Sequence, residues 1–373
     1  MISSPAALPL RRFGQNAALW AIHTGVSLAK NLRANTEPKA CFAGQNPGHE
    51  GFLLTPQWAF ALFEENDKYR DVVLPFLTPA GLLATFPPAP KHYVIDFHPR
   101  QMRTAAKYAT PFEIVRKLVL PDRERAAAQE QERNSQLLWY NAAAGVDHQH
   151  ERFLKHWWIL SGDAAELIPR INRLPRYIVC GYAGERPIFE FACREIRPSA
   201  GCSVFPFADD YSFGVLQSEI CRTWFTAKHM PGRPQFGQTP NHVFESFPWP
   251  QSPAAAAVQG VVKAARALRA RRRMLMEEGS LSLRELYDRV VPVGKKPFRA
   301  AQDELDGAVR AAYGMDRNAD TLRVLLELNL QIASREEAGM KTQGPGVPAN
   351  LLPDKEVAGF SGLDGMEIQP LEA

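Results

Sequence analysis

Arg176-Tyr177-Ile178-Val179-Cys180-Gly181-Tyr182 and, a few residues on, Pro187-Ile188-Phe189-Glu190-Phe191-Ala192-Cys193 read as two β-strands. Both runs are rich in β-branched and aromatic residues, and Gly184 lies between them, so the pattern predicts a hairpin. Alternation along the second run places Phe189, Phe191 and Cys193 on one face and Ile188, Glu190 and Ala192 on the other. Residues 202–207 predict a third short strand, with Pro206 at an edge or strand end. A helix is expected over 212–226, where Val215, Leu216, Ile220, Thr223 and Trp224 share one side. Asp209-Asp210 fit the turn before that helix, next to its positive end.

Upstream, residues 41–52 form a glycine-rich loop that matches neither a Walker loop nor a dinucleotide fingerprint. Thr55 is placed to cap a short helix that starts at Pro56. Residues 71–90 carry Pro75, Pro79, Pro87, Pro88 and Pro90 and are expected to be irregular. A strand is predicted over 92–97. Helical spacing of Phe112, Val115, Leu118 and Val119 follows Pro111, and Pro121 is expected to end it. Residues 122–138 are charged and suit a solvated helix or loop. Residues 1–40 hold no sustained period and are expected to pack against something outside the chain. Arg11-Arg12 before a mildly apolar run resembles an export signal, but Asn16, His23 and the missing cleavage site argue against it.

Downstream, residues 254–278 are rich in Ala, Arg and Met and predict one helix. Ser282 and Glu285 form a capping box for a short helix through Val290. Leu305, Val309, Ala312 and Tyr313 predict a third helix, and Leu322, Leu325, Leu326 and Leu330 a fourth. Residues 336–373 are Gly- and Pro-rich and are expected to be disordered. The fold class is therefore α+β, with a mixed domain over 41–252 and a helical domain over 253–335.

Composition sets outer bounds. The chain has 373 residues, 45% hydrophobic and 23% charged, which excludes whole-chain disorder and favours two or three domains. Lys plus Arg number 44 against 40 Asp plus Glu, so the net charge of +4 is compatible with phosphate binding without requiring it. Five cysteines lie too far apart for a zinc pattern and suit a reduced, cytoplasmic protein. No apolar run is long enough to span a membrane.

Catalytic chemistry finds little support. A DNA amino-methyltransferase needs a glycine-bearing cofactor loop, a ribose-binding carboxylate and a polar-Pro-Pro-aromatic loop against the flipped base. Asn46-Pro47 is followed by Gly48 and His49, so the aromatic platform is missing there. Asp209-Asp210 lack the Glu-x-Lys that a magnesium nuclease needs. His148, His150 and His156 suit a hydrophilic loop better than a metal site, and Ser218 and Ser246 lie in no nucleophile context.

DNA contact has better material. Tyr182, Arg186, Arg194 and Arg197 gather around the hairpin and its exit, and arginine can grip guanine or phosphate. Glu190 and Glu195 are placed to accept from cytosine or to pair with those arginines. Arg266, Arg269, Arg271, Arg272 and Arg273 form a basic helix segment, suited to phosphates or to an acidic partner. Arg269 and Arg272, however, fall near the apolar side set by Val258, Val261, Val262 and Ala265. For each of these residues ordinary ion pairing is the competing reading.

Several phrases then match a known family in order. They begin with residues 42–52, Phe-Ala-Gly-Gln-Asn-Pro-Gly-His-Glu-Gly-Phe, and Tyr93-Val94-Ile95-Asp96-Phe97. Pro111-Phe112, Trp157-Trp158 and Leu174-Pro175-Arg176-Tyr177-Ile178 come next. Residues 209–218, Phe244-Glu245-Ser246-Phe247-Pro248-Trp249-Pro250 and residues 305–314 complete the series. Over roughly residues 30–332 the chain resembles the target-recognition and C-terminal helical regions of MmeI-like type IIG restriction-modification enzymes and adenine-specific methyltransferases. The resemblance implies that residues 1–40 are the edge of a methyltransferase domain. It also implies that Arg186, Glu190, Arg194, Glu195 and Arg197 read bases. The expected partners are double-stranded DNA and a separate methyltransferase subunit. No cofactor is expected in this chain; S-adenosylmethionine is expected on a missing or separate methyltransferase domain. The competing readings are a truncated remnant of such an enzyme and a protein-binding module.

Overall fold

The computed structural model describes residues 26–141, 143, 145–162, 164–183, 186–228, 241–290, 296–351 and 367–371. The hairpin is present: β5 (Arg176–Ala183) pairs antiparallel with β6 (Arg186–Cys193), with Ile178 opposite Phe191 and Cys180 opposite Phe189. β8 (Ser203–Phe205) adds to β5, and β1 (Phe42–Ala43) adds to β8. A second sheet has the order β2-β4-β3-β7, from β2 (Leu53–Leu54), β4 (His92–Ile95), β3 (Val73–Leu77) and β7 (Arg197–Pro198). Its β3–β7 pairing is parallel. The mixed α+β class holds, with both sheets small and the C-terminal part helical.

Gln45 ties the two sheets together. Its N–H donates to the Pro198 carbonyl (2.7 Å), its carbonyl accepts from Ala200 N–H (2.7 Å), and its buried side chain donates to Asp96 (2.7 Å). The backbones approach so closely that a Cβ on neighbouring Gly44 would lie 2.2 Å from the Pro198 oxygen. Glycine is required there by contact, and the loop at 41–52 is in this respect a structural turn.

Helices of seven residues or more among the described residues are numbered α1 (Pro56–Glu65), α2 (Ala109–Leu118), α3 (Leu120–Tyr140), α4 (Gln149–Lys155), α5 (Asp210–Gln217), α6 (Glu219–Lys228), α7 (Ala255–Gly279), α8 (Lys296–Tyr313) and α9 (Thr321–Glu337). Thr55 caps α1, accepting from Trp58 N–H. Ser282 and Glu285 form the expected reciprocal box, and the chain continues as a π-helical turn over Leu286–Val290. One apolar cluster lies within residues 52–160, between the second sheet and helices α1 and α2. A larger one runs from the hairpin through α5–α9 to Ile368, with no break at 252, and a small third one joins Leu32 to Ile332 and Ala333.

Several expectations need correction. Pro75 lies inside β3, opposite Tyr93; β7 pairs only with Phe76 and Leu77, so the proline sits where β3 has one neighbour. Pro121 does not end the helical course; it occupies the first turn of α3, where its missing N–H costs nothing. The helix expected over 212–226 is two helices, because Ser218 is extended (φ −69°, ψ 157°) between α5 and α6. The segment from Val26 packs inside the chain. Asn35 is buried and donates to the carbonyls of Phe244, Glu245 and Phe247, while Arg33 and Ala34 N–H donate to Glu336. Residues 1–25 lie outside the described residues, as do 229–240 of the proline-rich stretch. The described part of the tail is not disordered: Glu367 and Ile368 are buried, and Ile368 bridges Ala192 beside β6.

Candidate nucleic-acid interface

Both faces of the hairpin are covered, and this decides the fate of its polar residues. Residues 187–193 of β6 are all buried, Glu190 included. Helices α5 and α6 pack over this part of the sheet, and α7, packed on α5, brings Arg269 and Arg272 inward at a spacing of three residues. Arg272 donates to Glu190 (2.5 Å), to the Phe189 carbonyl (2.9 Å) and to Gln217 (3.2 Å). Burial alone would pull the Arg272 guanidinium down, but Glu190 and Tyr287 outweigh it and hold its pKa above the usual arginine value.

Arg269 lies 3.3 Å from Asp210 and 3.6 Å from Glu190. Asp210 also receives Arg176 (3.3 Å) and the half-exposed Arg266 (2.8 Å). Arg176 completes the chain of charges with Glu367 at 2.6 Å, both side chains fully buried. The Phe191 ring lies under two of these cations, 3.8 Å from Arg176 and 4.6 Å from Arg269, and stacks on Phe213 at 5.1 Å. Three buried arginines thus face three buried carboxylates, one from each of β6, α5 and the tail segment. In a low-dielectric interior such charges persist only as a matched set.

The expectation that Glu190, Arg269 and Arg272 touch DNA is corrected by this placement, because their side chains are core groups with internal partners. Tyr182 is also engaged. Its ring stacks on Phe225 (5.3 Å, 19°) and its hydroxyl meets Ser203 Oγ at 2.8 Å. The remaining residues stay near the surface. Arg186, at the start of β6, lies 5.1 Å over the Tyr287 ring. Arg194 and Glu195 are exposed and pair with each other at 3.0 Å. Arg197 is half-buried and donates to Asn172 and to the Arg194 carbonyl; burial lowers its pKa. Arg273 is exposed and pairs with Glu277 at 2.8 Å. Arg186 therefore sits at one end of the hairpin strand, and Arg194, Glu195 and Arg197 just past the other.

Over the ion network lies a cleft of about 390 Å³, bounded by Phe86–Ala89, Met276 and Ile368–Leu371 and floored by Glu190, Arg269 and Arg272. Its arginines are matched by carboxylates. No cluster of three or more potential metal ligands occurs among the described residues. His148 pairs with Glu151 and His156 lies against Trp158. All five cysteines are buried and none is in a disulfide, with burial raising the thiol of Cys202 to about 12 and that of Cys193 to about 11.

The fold resembles part of MmeI. The solved structure of the type IIL restriction-modification enzyme MmeI in complex with DNA superposes with a TM-score of 0.57 at 15% identity. The match covers 79% of this chain and 36% of MmeI, so this chain spans little more than a third of the MmeI chain. No family model and no curated protein matches the sequence. No helix among the described residues is long and apolar enough to cross a membrane.

Asp209 offers a pH test of this region. It caps α5 by accepting from Ser212 N–H (2.6 Å) and Oγ (2.9 Å), yet burial raises its carboxyl to about 6. A carboxyl raised on folding holds its proton in the native state after the unfolded chain has lost it. Stability from this group is therefore full below about pH 4 and falls as pH rises to about 6, by up to about 3 kcal/mol. Asp209→Asn keeps an acceptor but cannot ionise, so its stability relative to wild type is expected to improve from pH 4 to pH 7. Urea midpoints across that range check this; a constant difference refutes it.

Proposed function

We propose that this chain is a DNA-recognition module of the MmeI type, with methyl transfer supplied by a separate domain or subunit that holds S-adenosylmethionine. The supporting observation is the shared fold over 79% of the chain with an enzyme solved on DNA. The surface arginines at the two ends of β6 fit this role. Arg186, Arg194 and Arg197 offer planar donor forks for guanine edges or phosphates, and Glu195 offers an acceptor for cytosine. Arg273, on the exposed side of α7, adds a phosphate contact.

Selection of bound duplexes from a randomised pool tests the reading. The full chain is expected to enrich a short defined sequence. Arg186→Ala and Arg194→Ala are expected to relax preference at single positions, about 1–3 kcal/mol for a bidentate base contact. The chain alone, given S-adenosylmethionine, is expected to leave DNA unmethylated. An unenriched pool refutes the recognition role, and methyl transfer by the purified chain refutes the division of labour.

A further inference from the structure

A second cavity, of about 560 Å³, lies away from the hairpin, between the loop after β4 and the ends of α3 and α4. Its lining includes Arg100, Arg123, Arg152, His98, His156 and Trp158, and it contains no carboxylate. This differs from the cleft over the ion network, whose arginines face Glu190, Glu277 and Glu367.

Arg123 is the unusual group. Only 7% of it is exposed, and its guanidinium donates to the carbonyls of Phe153 (2.9 Å) and His156 (3.1 Å) and to Ser161 Oγ (3.4 Å). Phe52 and Phe153 lie 5.5 and 5.4 Å from it. These partners orient the cation but do not neutralise it, and burial lowers its pKa to about 10. Arg100 donates to the Asp71 carbonyl and Arg152 to the His148 carbonyl, so each bonds a backbone oxygen. Among the described residues no carboxylate pairs with any of the three. Nearby carboxylates are engaged elsewhere: Asp122 with His49 and Arg125, Glu151 with His148, and Glu130 with the backbone N–H groups of His150 and Glu151.

A buried cation without a counter-charge is costly, and three arginines lining one cavity bring to it the positive charge and N–H groups that an oxyanion takes. We propose that this cavity binds a phosphate of the nucleic-acid backbone, with Arg123 as the buried anchor and Arg100 and Arg152 at the rim. The proposal rests on the DNA-recognition reading for its occupant; inorganic phosphate shares the same chemistry. Such a contact positions the duplex without reading its sequence.

The test titrates a labelled duplex with the full chain over a range of salt concentrations. Arg100→Ala and Arg152→Ala are each expected to weaken binding equally on all sequences and to flatten the log–log salt slope by roughly 1. Arg116→Ala, whose side chain pairs with Glu113, serves as the control and is expected to keep the wild-type slope. Arg123 is left intact because its loss would disturb folding. Wild-type slopes in both rim variants, with DNA still bound, overturn the cavity site and leave the recognition reading standing. If wild type binds no DNA but inorganic phosphate raises its Tm and not that of the rim variants, the recognition reading and the nucleic-acid occupant both fall. Absence of both effects also overturns the proposal.

Discussion

Replacing Asp210 with alanine is expected to destabilise the protein by about 3–5 kcal/mol, the cost of breaking a buried ion pair by removing one partner. Asp210 stands between Arg176, Arg266 and Arg269, at 3.3, 2.8 and 3.3 Å. Two of those guanidiniums are sealed from solvent and cannot recover water when the carboxylate is gone. Arg269 keeps Glu190 at 3.6 Å and Arg176 keeps Glu367, which holds the loss within that range. Asp210→Asn preserves shape and is expected to lose somewhat less. Glu277→Ala, which breaks an exposed pair with Arg273, is expected to change stability by less than about 1 kcal/mol. Urea midpoints of the three variants decide the matter. Equal losses for Asp210→Ala and Glu277→Ala would show that the interior charges do not depend on one another.

The second large effect is expected at Glu367→Ala, about 3 kcal/mol, toward the lower end because Arg176 retains Asp210 and the Ala208 carbonyl. The loss should also be local. Ile368 exchanges hydrogen bonds with β6, its N–H donating to the Phe191 carbonyl (2.9 Å) and its carbonyl accepting from Cys193 N–H (3.1 Å). Once the Glu367–Arg176 pair is gone, that strap opens more often. Hydrogen exchange at the amides of Cys193 and Ile368 is expected to quicken more than exchange at Ile178, in the middle of β5. Uniform quickening at all three sites would mean that the segment contributes only to global stability.

Much of this fold is legible in local pattern. The alternation in 176–193, the Thr55-Pro56 helix start, the Ser282–Glu285 box and the leucine spacing of α9 each act within a few residues, and each produces the expected element. What local pattern misses depends on distant cover. Glu190 reads as surface in a half-buried strand, but helices and a C-terminal segment close over it. The signal for its partners was present, since Arg269 and Arg272 fall beside the valines on the apolar side of α7. A guanidinium on an apolar face implies a buried carboxylate opposite. Arg100, Arg123 and Arg152 carry no such mark; they come from separate elements and meet only in the folded chain.

The Glu367–Arg176 pair has a consequence for biosynthesis. The two residues are 191 positions apart, so Arg176 leaves the ribosome long before its carboxylate is translated. Until then Arg176 has Asp210 alone, and β6 lacks the segment that hydrogen-bonds along its outer side, leaving the kind of exposed edge that invites association with other chains. Arrival of the Glu367–Ile368 segment, rather than emergence of the hairpin, therefore sets the moment at which this edge of the sheet can close.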